Sequence, residues 1–169
     1  MAGLRGNIAS FMAQKQVSKG TAATYSSASA YKMAFSGGDI SPIRSTDNLS
    51  ETDSSRDRGV TFIQSSGVEG TPEFYVRDAS IGFWLWAVLG ADAVSGTTPN
   101  YTHALTPASL LPYLTIWTNK GDTLYEEFRD CKVSSLSIAA EAGQPLVATA
   151  NIQGLQSTRL TAPIDTSPK

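Results

Sequence analysis

Apolar and polar positions alternate along most of this chain, and one stretch departs from that rhythm. Val60 and Phe62 alternate with Thr61 and Ile63, and Phe74 and Val76 with Glu73, Tyr75 and Arg77, with turn chemistry at Gly67 to Gly70 between them. A period of two is the spacing of a strand with one buried face. Tyr31, Met33 and Phe35 predict an earlier strand, closed by Gly37-Gly38-Asp39, and a short run from Ile40 to Ile43 follows. Further on, the pattern predicts a strand at Tyr101 to Thr106, a hairpin of Leu114 to Trp117 with Leu124 to Arg129, and a strand from Cys131 to Ile138. The change of phase at Ser134-Ser135 predicts a bulge in that last strand. Leu146, Ala148, Ala150 and Ile152 then alternate cleanly with Val147, Thr149, Asn151 and Gln153.

The exception is the segment before Gly90. Ile81, Trp84, Leu85, Val88 and Leu89 recur at helical spacing, with Asp78 or Ser80 as N-cap and Gly90 as the closing residue. These five residues are the expected core stripe of a helix over about residues 79–89, and Phe83 and Trp86 widen its apolar surface. The predicted fold is mainly β, an antiparallel β-sandwich or partial barrel with one flanking α-helix. Two segments fall outside it. Residues 1–30 are small and polar, and read as an N-terminal arm that orders only against the rest of the domain or a neighbouring chain. Residues 45–58, within a β domain spanning 31–160, read as a long polar loop, and 161–169 as a C-terminal tail.

Composition narrows the function. The 169 residues suit one domain, and 13 Lys+Arg against 15 Asp+Glu give a net charge of −2. That balance argues against a dedicated nucleic-acid binder. It also hides an asymmetry: residues 1–32 hold four basic residues (Arg5, Lys15, Lys19, Lys32) and no acidic one, leaving the remainder at −6. The longest apolar stretch, Ile81 to Leu89, is short for a membrane span and stands far from where a secretory signal would lie. One Cys and one His leave no multi-cysteine or multi-histidine metal site.

Little else points to chemistry. Cys131 with His103 and an Asp is the only Cys–His set, and a cysteine in an alternating strand reads as a small core residue. Glu126, Glu127 and Asp130 read as a solvated edge, because adjacent strand residues face opposite ways. Trp84, Trp86 and Trp117 could form a stacking platform, although two of them lie on the predicted helix, where core packing is the better reading. No nucleophile elbow, phosphate-binding loop or dinucleotide fingerprint is present. An enzyme is disfavoured, and no cofactor is expected.

Residues 70–154 resemble the tail tube proteins (major tail proteins) of long-tailed bacteriophages. Thr71-Pro-Glu-Phe-Tyr-Val-Arg77 leads into Ser80-Ile-Gly-Phe-Trp-Leu-Trp-Ala-Val-Leu-Gly90, similar to the family's strand, helix and closing glycine. Tyr101-Thr-His-Ala-Leu-Thr-Pro107 follows, with Leu105 where the family usually has an aromatic. Leu111-Pro-Tyr-Leu-Thr-Ile116, Asp130-Cys-Lys-Val-Ser-Ser-Leu-Ser-Ile138 and Gly143-Gln-Pro-Leu to Gly154 complete the order. Residues 1–69 match only in layout.

The resemblance implies a structural virion protein, made in the bacterial host cytoplasm. Its copies would form hexameric rings stacked into a tube, their sheets joined edge to edge around a lumen that conducts the genome without binding it. Its partners would be itself and other tail proteins (tape measure, tail tip, terminator), with no membrane. The arm and loop look like the family's contacts between subunits and rings. The interface candidates on them are Arg5, Lys15, Lys19, Asp47, Glu51, Asp53, Arg56, Asp57 and Arg58. An acidic lumen would keep DNA from sticking. Three alternatives stand beside this reading: another tail ring of the same fold (terminator or baseplate), a carbohydrate- or receptor-binding β-sandwich using Trp117 and Tyr113, and a cysteine hydrolase on Cys131.

Overall fold

A computed structural model describes residues 9–48, 61–121 and 124–164. The chain opens with β1 (Ala9–Lys15), β2 (Tyr31–Met33), β3 (Phe35–Gly37), β4 (Ile40–Asn48), β5 (Thr61–Gly70) and β6 (Glu73–Tyr75). Then come α1 (Asp78–Leu89), the hairpin β7 (Gly90–Thr97) and β8 (Asn100–Pro107), β9 (Leu114–Lys120), β10 (Leu124–Ala139), β11 (Val147–Gly154) and β12 (Gln156–Leu160).

The 16-residue strand β10 organises the molecule by serving two sheets. Its first half lies between β9 and β12, and β9 continues through β1 to β2. Its second half pairs with β11, which continues through β5 to β4 and, at its other end, through β6 to β3. All of these pairings are antiparallel. The strand changes sheets where its register slips, between Phe128 and Cys131 and again between Val133 and Ser135. The second slip is the bulge expected at Ser134-Ser135. At the first, Asp130 adopts the left-handed region (φ 56°), unusual for a non-glycine residue. A side-chain clamp holds it there. Gln16 Oε1 accepts the Asp130 backbone N–H (2.8 Å), while the Asp130 carboxylate accepts from Gly20 N–H (2.7 Å) and Gln16 Nε2 (3.1 Å).

The core fills the space between the sheets and under α1. Phe11, Ala13, Leu114, Ile116 and Phe128 come from the first sheet, and Ile40, Val68, Val133, Ala148, Ala150 and Ile152 from the second, all buried. The expected alternation of β11 is therefore realised. Helix α1 stands where expected, but its buried residues are Phe83, Trp84 and Ala87. Of the predicted stripe only Trp84 is fully covered; Ile81, Leu85, Val88 and Leu89 are partly exposed. The helix is apolar all round, so periodicity could not choose its face, whereas ring packing does. Trp84 stacks on Phe74 (5.1 Å between centroids), and Phe83 on Tyr31 (4.4 Å). Neither Asp78 nor Ser80 caps the helix: Arg77 stands at the N-cap without a side-chain bond, its carbonyl accepting from Ser80 and Ile81.

Other boundaries also move. Residues 9–15, expected in the arm, form β1 in the heart of the first sheet, with Phe11, Met12 and Ala13 buried. Residues 16–30 cross the outer face of β9 as a strap: Ala23 N–H donates to Thr115 Oγ1 (2.9 Å), and Tyr25 sits edge-on to Trp117 (5.7 Å). Both faces of β9 are thus covered. β4 runs on to Asn48, into the stretch read as loop, and β5 runs through the turn expected at Gly67 to Gly70. β7 and β12 lie where no strand is predicted. Among the described residues no helix is long and apolar enough to cross a membrane.

Candidate assembly surfaces

Two hairpins leave the body. β4 is buried only at Ile40, and Ser41 to Asn48 are exposed, as are Thr61 to Ser66 of β5 opposite them. This hairpin carries Ile43, Phe62 and Ile63 into solvent, Ile63 at 59% exposure. The β7–β8 hairpin does the same with Val94 (56%) and Tyr101 (55%). Single exposed apolar residues are ordinary, but five on two protruding ribbons are apolar area without cover in one copy.

Among the described residues the second sheet has two long open edges. Among the described residues β4 pairs only with β5, leaving its other edge open from Ile40 to Asn48. At the opposite end, residues 132–139 of β10 pair only with β11, because β9 and β12 leave β10 by Cys131. Each open edge presents a row of backbone donors and acceptors able to extend the ladder into another chain. Direction is fixed as well. Alternation through β10, β11, β5 and β4 makes β4 antiparallel to β10, so a rotated second copy meets it antiparallel.

The predicted interface residues divide among these features. Asp47 lies on the exposed ribbon, opposite Phe62, its carboxylate accepting from Asn48 N–H. Lys15 ends β1 with its ammonium over the Trp86 ring (5.3 Å), and Lys19 is exposed on the strap. Arg5, Glu51, Asp53, Arg56, Asp57 and Arg58 lie outside the described residues. The sequence reading missed the apolar ribbon residues and the open edges. Phe62 beside Ile63 was the available signal, since adjacent apolar residues in a strand face opposite sides and are both buried only where both faces are covered.

The chemistry expected to be absent has structural grounds for being so. Cys131 is buried, and burial first, then the Asp130 charge, pushes its thiol up to about 12. It stays protonated at neutral pH and is no nucleophile. His103 pairs instead with Asp92 across the β7–β8 hairpin (2.8 Å). The carboxylates read as a solvated edge are partly or fully buried and engaged. Glu126 meets Lys120 (3.3 Å), Glu127 meets Arg129 (3.1 Å) and the Trp117 indole N–H (2.9 Å), and Asp130 lies in the clamp. Opposite faces were right; solvation was not. The carbohydrate platform also fails, because Trp117 is 1% exposed and Tyr113 lies under the Lys132 ammonium (4.3 Å).

A sandwich with two open edges on one sheet, apolar ribbons and no reactive centre among the described residues has the character of a structural subunit that associates with other chains. The sequence profile of phage tail tube proteins matches residues 6–169, and the chain belongs to that family. It is a structural, non-enzymatic component of a phage tail, the kind of subunit that self-assembles into a tube. Solved structures share the fold. The SPP1 tail tube superposes with a TM-score of 0.59 at 12% identity, covering 97% of this chain and 82% of that one. A subunit of a native gene transfer agent virion gives 0.56 at 8% identity, over 94% and 100% of the two chains. A chain of the anti-feeding prophage baseplate gives 0.54 at 11% identity, over 89% and 92%. No curated protein sequence matches the chain.

Proposed function

We propose that six copies close into a ring through the second sheet, that the rings stack into a hollow tube, and that the phage genome passes along its lumen during ejection. The pair of open edges carries this reading. The free edge of β4 in one copy meets residues 132–139 of β10 in the next, adding four strands per copy to one continuous antiparallel sheet. A closed ring leaves no edge of this four-strand ladder exposed. Size then excludes the smallest rings. With strands about 4.8 Å apart and tilted about 40°, six copies give a backbone diameter of roughly 48 Å and a bore of roughly 38 Å. Three copies leave a bore of about 14 Å, narrower than a duplex roughly 20 Å across. The two hairpins project from this body, where they can reach a neighbouring copy or ring. Tape measure, tail tip and terminator proteins would meet the tube at its lumen and ends.

A terminator or baseplate ring of the same fold is the second reading, favoured only by the likeness to a baseplate chain. Electron micrographs of purified protein decide between them: long tubes with six-fold averages are expected, and isolated rings indicate the second reading. Ile43→Lys with Ser45→Lys, which places two charges on the β4 edge, is expected to leave the strand content by circular dichroism unchanged and to abolish both forms. Wild-type protein that stays monomeric at high concentration, with or without a tail tip to nucleate it, overturns the proposal.

A further inference from the structure

We infer that the open edge of β4 is closed at its root from within the chain, and that this closure sets the register in which copies pair. In the proposed ring, on which this rests, Arg44 of one copy faces Ile138 of the next, and Thr46 faces its Leu136.

Hydrogen bonds fix which backbone groups look outward. Thr71 N–H donates to the Asp39 carbonyl (2.9 Å), so Asp39 turns its ladder groups to β5 and Ile40 turns its own away. Alternation then points the N–H and C=O positions of Ile40, Pro42 and Arg44 at the open edge. Gln64 of β5 is the extra residue where the β4–β5 register slips, so β4 keeps its alternation and Thr46 points outward too. On β11, Ala150 N–H donates to the Pro72 carbonyl (3.1 Å), away from β10. Its ladder partner Leu136 therefore offers its own backbone groups outward, as does Ile138 two residues on.

The root of the β4 edge is already answered. Asp39 Oδ1 accepts the Ile40 N–H (2.7 Å), and Lys120 Nζ donates to the Ile40 carbonyl (3.0 Å). The ammonium is held there by Asp39 Oδ1 (2.7 Å) and, from the first sheet, by Glu126 (3.3 Å). At the next outward position Pro42 has no N–H to give. Among the described residues nothing occupies the ladder groups of Arg44. A docking strand finds its first complete donor and acceptor at Arg44.

Two alternations leave few registers. Side chains keep to their own face and outward groups meet outward groups, so a neighbour's strand slides only in steps of two residues. Setting Ile138 against Ile40 requires the Asp39–Lys120 closure to open. Setting it against Pro42 leaves the Ile138 carbonyl without a donor. Setting it against Thr46 carries Arg44 past Ala139, the last residue of β10, and forfeits the Arg44 pair. Only Ile138 against Arg44 uses every free group and disturbs none that is taken.

Exposed serines read the register. With Ile138 opposite Arg44, Ser45 lies opposite Ser137 of the next copy, about 4.5 Å away at Cα, and about 7–8 Å from its Ser135. Only the first separation suits a disulfide. Tubes of Ser45→Cys with Ser137→Cys are expected to oxidise into a series of covalent multimers about tenfold faster than tubes of Ser45→Cys with Ser135→Cys. The buried Cys131 is the silent background. Adding Pro42→Ala to the slower pair supplies the missing donor and is expected to speed its cross-linking; an unchanged rate refutes the stop at Pro42. Equal rates, or a faster Ser135 pair, overturn the register while the ring stands. Tubes that cross-link through neither pair overturn the meeting of β4 with β10, and absence of wild-type tubes overturns the assembly as a whole. Hydrogen exchange checks the closure separately. The Ile40 amide is expected to exchange slowly in free subunits and no more slowly in tubes, whereas Arg44 slows about tenfold or more on assembly. Slowing at Ile40 on assembly overturns the closed root.

Discussion

Gly154 ends β11 directly over the bend of β10, and a methyl group there tests how tightly that bend is packed. A Cβ built on Gly154 lies 2.7 Å from Cys131 Sγ, 3.3 Å from Val68 Cβ and 3.4 Å from the Arg129 carbonyl oxygen. Its backbone is not in the left-handed region, so alanine is conformationally acceptable and the cost is steric. Neither neighbour gives way easily, since Cys131 and Val68 are buried in the core. Gly154→Ala alone is expected to cost about 1–3 kcal/mol, the usual price of an added methyl group in a full core. Cys131→Ala alone removes one buried sulfur and costs about 1 kcal/mol. Together the new methyl moves into the space the sulfur leaves, and the closest remaining contact is the 3.3 Å one to Val68. The double variant should therefore be more stable than the sum of the two by about 1–2 kcal/mol. Urea unfolding of dilute, unassembled subunits measures all four proteins, and a consistent slope confirms that stability has changed and not the state unfolded. Additivity within about 0.5 kcal/mol refutes the claim that β10 and β11 meet at this sulfur.

Two further outcomes follow from the same bend. The Cys131 thiol is raised from 9.0 to about 12 in the fold, so above pH 9 the unfolded chain loses its proton first and the folded state is penalised. The resulting stability is complete below pH 9 and is lost between pH 9 and 12, on the order of 4 kcal/mol if the full shift is expressed. Subtracting the pH profile of Cys131→Ser isolates it; parallel profiles refute it. Gln16→Ala removes both sides of the clamp on Asp130 and leaves its backbone N–H buried without an acceptor, at a cost of about 2 kcal/mol. Loosening the strap should also raise acrylamide quenching of Trp117; unchanged melting and quenching would show that the clamp holds nothing.

The parts of this fold legible from sequence are those where one face alone is buried. β11 alternates because its outer residues face water, and the bulge at Ser134-Ser135 shows as a change of phase. Where both faces are covered, the pattern fades. β9 has Leu114 and Ile116 in the core while Thr115 and Trp117 lie under the strap, and only the pairings reveal it. Where neither face is covered, as on β4 and β7, polarity reads as loop although ladder hydrogen bonds hold the strand. β1 was hidden for another reason. Phe11 and Met12 are adjacent and face opposite sides, both buried, which imitates helical spacing in a short window. Among the interface candidates, charge drew attention to the loop and arm, whereas the edges that offer pairing have no residue signature at all.

That last point changes what the charge asymmetry means. Most of the four cations before residue 33 lie on the segment read from sequence as an arm that contacts neighbouring copies. Once residues 9–15 are a central strand and 16–30 a strap on the same chain, Arg5 is the only charged side chain of the expected arm outside the described residues. Lys15 is spent on Trp86, and Lys19 and Lys32 sit on the subunit's own surface. One arginine and exposed ion pairs, each worth at most about 1 kcal/mol, cannot hold a tube together. In the proposed ring, backbone ladders at each subunit boundary would, because each edge brings eight or nine residues of donors and acceptors and the exposed Ile43 and Ile138 beside them. An assembly held in this proposed way would not depend on side-chain charge for adhesion, so side-chain charge is a poor guide to where its copies meet.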